Sequence, residues 1–160
     1  MRIGRLTLAI LILLALQTLS LFADEIANHT VTVQVDVINE LEITGGNITL
    51  TISTATAGQD PDDATNSTCA LQWTTNEATK KITVATDQAT PNFTLKVVAS
   101  GVSGGTAAAE ATLSNTTADD FVTGISTTLG TCTVNYTAEA TAAQGNGSVV
   151  HTVTYTLTAG

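Results

Sequence analysis

Residues 30–37, Thr-Val-Thr-Val-Gln-Val-Asp-Val, alternate without a break, with four valines on one side and polar groups on the other. A period of two is the period of a β-strand and puts all four valines on a single face. The habit recurs along the chain. Ile48, Leu50 and Ile52 alternate with Thr49 and Thr51 after the Gly45-Gly46 break, and Cys69, Leu71 and Trp73 share one face. Ile82 and Val84 follow a turn around Asn76-Glu77. Phe93, Leu95 and Val97 come next, then a thin Ala109, Ala111, Leu113 set and a short stretch at 122–125. Cys132, Val134 and Tyr136, and finally Val153, Tyr155 and Leu157, complete the series. Polar or glycine-rich turns at 57–68 and 101–105 separate the runs. About eight or nine short strands at this spacing predict a single all-β, immunoglobulin-like sandwich. Residues 106–112, rich in alanine, are the one helix candidate. No fixed-length repeat supports a solenoid.

Threonine supports the same class. It occurs 33 times in 160 residues, and a β-branched side chain with a hydroxyl suits the solvent face of a strand. Ladders such as Thr152-x-Thr154-x-Thr156-x-Thr158 resemble ice-binding faces, but those need many equal coils, and solvent-face threonine accounts for the pattern.

The chain opens with Arg2 and Arg5, an apolar run over 6–16, and small residues at Ser20 and Ala23 before Asp24-Glu25. This layout predicts a secretory signal over 1–23 and a secreted domain over 24–160; the apolar run is short for a membrane span. Cleavage there leaves Lys80, Lys81 and Lys96 against 14 acidic residues, a net charge of −11 over 137 residues. Such a surface repels phosphate backbones and anionic lipids, which argues against nucleic-acid partners.

Cys69 and Cys132 are an even pair in an exported chain, and the expectation is one disulfide between two strands. Closing a loop of this length contributes roughly 4 kcal/mol in the chain-entropy model. Their spacing is in the immunoglobulin range, yet Trp73 falls only four residues after the first cysteine. Gly130 stands where a tyrosine corner would place tyrosine. The likeness is therefore one of architecture.

Seven of nine asparagines sit in N-x-S/T: Asn28, Asn47, Asn66, Asn92, Asn115, Asn135 and Asn146. The pattern marks acceptors for N-linked glycans on a surface protein, and threonine bias with turn-forming asparagine produces it equally. Asp60, Asp62 and Asp63 are calcium candidates, with Asp119-Asp120 as possible contributors. They lack the ordered spacing of a calcium loop, so a solvated acidic loop is expected. Neither a nucleophile elbow nor a metalloprotease motif nor a phosphate-binding glycine loop occurs, and His29 and His151 have no paired acid or cysteine nearby in sequence. The expectation is a protein without enzymatic activity or cofactor.

Two segments carry a family resemblance. The stretch at 28–43, NHTVTVQVDVINELEI, begins soon after the expected cleavage site and holds a V-x-V-D pattern. Thr75-Asn76-Glu77-Ala78-Thr79-Lys80-Lys81 leads into a strand. In these features the chain resembles the alternate chaperone–usher pilins of the colonisation-factor type over the first half of the mature sequence. The resemblance implies an extracellular filament subunit that self-associates into a homopolymer by strand addition. Residues 28–38, with Thr30, Val31, Val33, Val35 and Val37, would be the donor strand. The dense N-x-S/T pattern also looks like that of glycosylated archaeal surface filaments. The alternative is a monomeric secreted module that binds carbohydrate or a cell-surface partner. Its candidate platform is Trp73, Phe93, Phe121, Tyr136 and Tyr155, most of which alternation turns toward the core.

Overall fold

A computed structural model describes residues 26–114 and 116–160. The expected signal at 1–23 and Asn115 lie outside the described residues. The chain divides into two units, Met1–Val35 and Asp36–Gly160. In the first, residues 26–35 carry no strand and are exposed throughout.

The second unit holds the sheets. Nine strands are found among the described residues: β1 (Asn39–Thr44), β2 (Ala64–Thr75), β3 (Lys80–Thr86), β4 (Thr94–Ser103), β5 (Thr106–Ala107), β6 (Ala111–Thr112), β7 (Asp119–Ile125), β8 (Thr128–Glu139) and β9 (Val153–Ala159). One sheet has the order β1-β2-β8-β4-β6 and the other β5-β7-β3-β9, every pair antiparallel. The all-β sandwich-like arrangement expected from the alternation is what forms. The one helix candidate, 106–112, is not helical but holds β5 and β6, the latter within the thin alternating set Ala109, Ala111, Leu113. There Thr112 pairs with Lys96 and Ala111 with Val97, so sheet pairing overrides alanine's helical preference.

The core is built from the alternating faces. Cys69, Leu71 and Trp73 of β2 meet Cys132, Val134 and Tyr136 of β8, and Ile82, Val84, Phe121, Val122 and Ile125 face them from the other sheet. Phe121 stacks edge-on against Tyr155, ring centroids 4.9 Å apart. The Tyr136 and Tyr155 hydroxyls, one from each sheet, are hydrogen-bonded at 2.9 Å. That contact gives both polar tips a partner inside an apolar interior. Burial pushes both phenols up, Tyr155 far above its ordinary range.

Two glycines mark close approaches. Gly130 lies opposite Trp73, and a Cβ there would stand 2.0 Å from the indole. Gly45 (φ +100°) crosses Cys69 so closely that a Cβ would lie 2.8 Å from the Thr68 carbonyl oxygen.

The expected disulfide is absent. Cys69 and Cys132 are separate buried thiols. The register gives the reason: Cys69 is opposite Val134, and Cys132 opposite Leu71. The cysteines are thus diagonal neighbours on one sheet, a placement with backbones roughly 7–8 Å apart, beyond the usual disulfide span. Cys69 Sγ instead lies 3.8 Å from the Gly46 carbonyl oxygen, and burial pushes the Cys132 thiol up.

Candidate assembly site

Two features of the molecule are incomplete in complementary ways. The first is the segment preceding β1. Val31, Val33, Val35 and Val37 are 69, 83, 71 and 68 % exposed. They stand in phase with Leu41 and Ile43, which face Trp73 and Leu71 in the β1–β2 ladder. The period-two valine stripe is therefore real in sequence and exposed in structure: among the described residues, 30–37, expected as a strand, forms no strand. Alternation states which side chains share a face; it does not supply a partner for the backbone.

The second feature is the open margin of the sandwich. β9 pairs with β3 over seven consecutive residues without a bulge, from Lys80↔Ala159 to Thr86↔Val153, and among the described residues no strand pairs with its other side. Its inward residues Val153, Tyr155 and Leu157 are only half-buried, as is Leu41 of β1, while Ile43 is 48 % exposed. Residues 46–54 behave alike. Ile48 and Leu50 pack against the core and Thr49 and Thr51 face solvent, yet no ladder pairing is present there. The strand expected at 48–52 has its side chains in place and its backbone unpaired.

Native edges are usually shielded by charge, proline, bulges or shortness. β9, sequence VTYTLTA, has none of these along its length. At the opposite margin the sheets end on the two-residue strands β5 and β6, a shielded form of edge.

A polar cluster surrounds the point where residues 36–38 enter β1. Asn76 N donates to the Ile38 carbonyl oxygen (3.2 Å), Ile38 N donates to Asn76 Oδ1 (2.8 Å), and Asn76 Nδ2 donates to the Asp36 carbonyl oxygen (2.7 Å). Thr75 Oγ1 donates to Asn39 Oδ1 and Asn39 Nδ2 to Glu77 Oε2, which Lys80 pairs at 2.7 Å. The Lys80 ammonium, then the Asn39 amide, hold the Glu77 carboxyl below the usual carboxylate range.

The other candidate residues fall elsewhere. Asp60 Oδ1 accepts from Ala142 N and Asp62 Oδ2 from Thr54 Oγ1, so these carboxylates serve the loop. Among the described residues no group of three or more His, Cys, Asp or Glu is placed to hold a metal. Asn28, Asn47, Asn92 and Asn146 are exposed, and Asn66 is half-buried. Asn66 lies at the β2 bulge, its Oδ1 accepting from Thr68 N and Oγ1. Asn135 is half-buried, and its Nδ2 donates to the Val98 and Thr133 carbonyl oxygens and to Ser100 Oγ. Of the aromatics, Trp73, Phe121 and Tyr136 are buried and Phe93 and Tyr155 half-buried, so no exposed aromatic platform is found among the described residues. His151 Nδ1 is hydrogen-bonded to Thr86 Oγ1 at 2.9 Å. Comparison with known proteins finds no matching family model and no matching curated protein.

Proposed function

We propose that this chain is an extracellular structural subunit that polymerises by placing residues 28–38 of one copy beside β9 of the next. The observation that carries the reading is the pairing of two deficits. A four-valine stripe stands exposed, and a seven-residue edge strand with half-buried Val153, Tyr155 and Leu157 lies uncovered.

The strand order supports it. In an immunoglobulin domain one sheet runs A-B-E-D and the other C-F-G. Here β1-β2-β8-β4 follows the first order, and β3-β9 follows C-F. Among the described residues no strand takes the G position beside β9. An incoming strand would hydrogen-bond β9 along its length and turn its valines toward Leu41, Ile48 and Leu50. This is strand addition to an exposed edge, in which main-chain bonds give affinity and alternate side chains give specificity.

The binding-module reading lacks the exposed aromatic cluster a sugar platform would use. Secretion remains part of the proposal, resting on the N-terminal pattern.

The test is electrophoresis of the secreted protein in SDS with and without heating. Strand-exchanged polymers give a ladder that collapses to one band on boiling, and removal of residues 28–38 abolishes it. A ladder that persists without those residues refutes the proposal.

A further inference from the structure

The Asn76 segment, singled out in the sequence for its resemblance, has a mechanical position in the fold. β1 and β2 are in register with Asn39 opposite Thr75, and the next step of that register pairs Ile38 with Asn76. Those two residues are joined in both directions, through Asn76 N to the Ile38 carbonyl oxygen and Ile38 N to Asn76 Oδ1. The same side chain reaches the Asp36 carbonyl oxygen through Nδ2. One asparagine therefore carries the line of β1 one step beyond the end of β2.

We propose that Asn76 directs the valine segment to a neighbouring copy by preventing it from filling the slot of its own chain; this rests on the strand-exchange reading above. β9 finishes at the same end of the sandwich as Asn76: Ala159 is opposite Lys80, and Gly160 N donates to the Thr79 carbonyl oxygen. A chain that occupied its own slot would run along β9 toward that end and then reverse into β1. The reversal would fall on residues 36–38, the three that Asn76 holds in line. Self-insertion therefore requires breaking all three hydrogen bonds, and exchange between copies breaks none. Asn39, Thr75, Glu77 and Lys80 brace the turn that carries Asn76. Asn76 is thus a positioning residue for assembly, acting through its hydrogen bonds to residues 36–38.

The full secreted chain is compared with its Asn76→Ala and Asn76→Asp variants on unheated SDS gels, with circular dichroism to verify the fold. Asn76→Ala is expected to lower the polymer-to-monomer ratio about thirtyfold, the weight of its two side-chain hydrogen bonds at about 1 kcal/mol each. The monomer that accumulates should resist SDS until heated, because its own segment fills the slot. Asn76→Asp keeps the acceptor for Ile38 N but loses the donor to Asp36, and should fall between wild type and Asn76→Ala. A chain lacking residues 28–38 separates the two ideas. If that deletion abolishes the ladder but both Asn76 variants polymerise like wild type, the positioning role is wrong and strand exchange stands. If the ladder survives the deletion, strand exchange fails and the role of Asn76 fails with it.

Discussion

Val33 and Val35 offer the sharpest separation between folding and assembly. They are 83 and 71 % exposed, so replacing either by threonine, which has nearly the same shape, leaves the folded subunit almost untouched. If residues 28–38 add to a neighbour as proposed, the same side chains would be buried in the polymer. Each substitution then loses a methyl group, about 0.8 kcal/mol, and buries a hydroxyl without a partner, about 1–3 kcal/mol. Two such changes weaken each junction by at least about 4 kcal/mol, a thousandfold or more in the contact's equilibrium constant. The measurement is the temperature at which the SDS-resistant ladder of the Val33→Thr/Val35→Thr chain collapses, beside its thermal unfolding followed by circular dichroism. Thr32→Ser, on the opposite face of the same segment, is the matched control and should behave like wild type. A double variant whose ladder is as heat-resistant as wild type would show that these valines stay in water in the assembled state, and the donor role would be refuted.

Gly130→Ala drives a Cβ into the Trp73 indole and should destabilise the fold by about 1–3 kcal/mol, read as a lowered midpoint in denaturant. Cys69 and Cys132 should both be alkylated in denatured protein without prior reduction, adding two labels by mass, and reductant should leave the melting temperature unchanged. A persistent mass deficit of two hydrogens would contradict the register. His151 is held below its ordinary value by burial, with Asp87 pulling the other way. The unfolded chain therefore takes up this proton first as pH falls through about 6.5, and the folded state loses stability from there downward. His151→Gln should flatten that part of the stability–pH profile, measured by denaturant titration at pH 7 and pH 5.5.

The residues that were legible from sequence are those whose two faces differ. β2, β3, β4, β8 and β9 all bury one set of alternating side chains, and alternation locates them directly. The same signal misleads where burial and pairing part company. Residues 28–43 read as one continuous alternating stretch, but only Asn39–Thr44 find a ladder partner, because β2 ends at Thr75. Ile48 and Leu50 pack against the core like strand residues, yet no ladder is found there among the described residues. The cysteines fail differently. Their number and the export pattern argue for a bridge, whereas a two-residue offset in register decides the geometry, and no composition reveals an offset. The Asn76 segment was visible as a motif, but its hydrogen bonds to Asp36 and Ile38 span 40 and 38 residues and depend on where β1 starts.

The two incomplete surfaces have a further consequence for the form of the assembly. A stripe of exposed valines and an uncovered edge strand are each a hazard in a soluble protein, inviting nonspecific association. Under the proposed strand exchange the donor segment and the acceptor edge are different stretches of the chain, so the contact would be head-to-tail and not self-complementary. A head-to-tail contact generates a ring when its rotation closes and an open filament when it does not. Each subunit added covers one exposed edge and presents another, so growth neither exhausts nor caps itself. Charge acts in the same direction: with three lysines against 14 acidic residues in the expected mature chain, side-by-side approach of subunits is repulsive. End-to-end strand insertion, built from Val, Thr and backbone, carries little of that charge across the contact. Strand exchange under this charge predicts a thin, extended polymer, and raising the salt concentration, which screens the repulsion, should thicken it by lateral association while leaving the ladder's heat resistance unchanged.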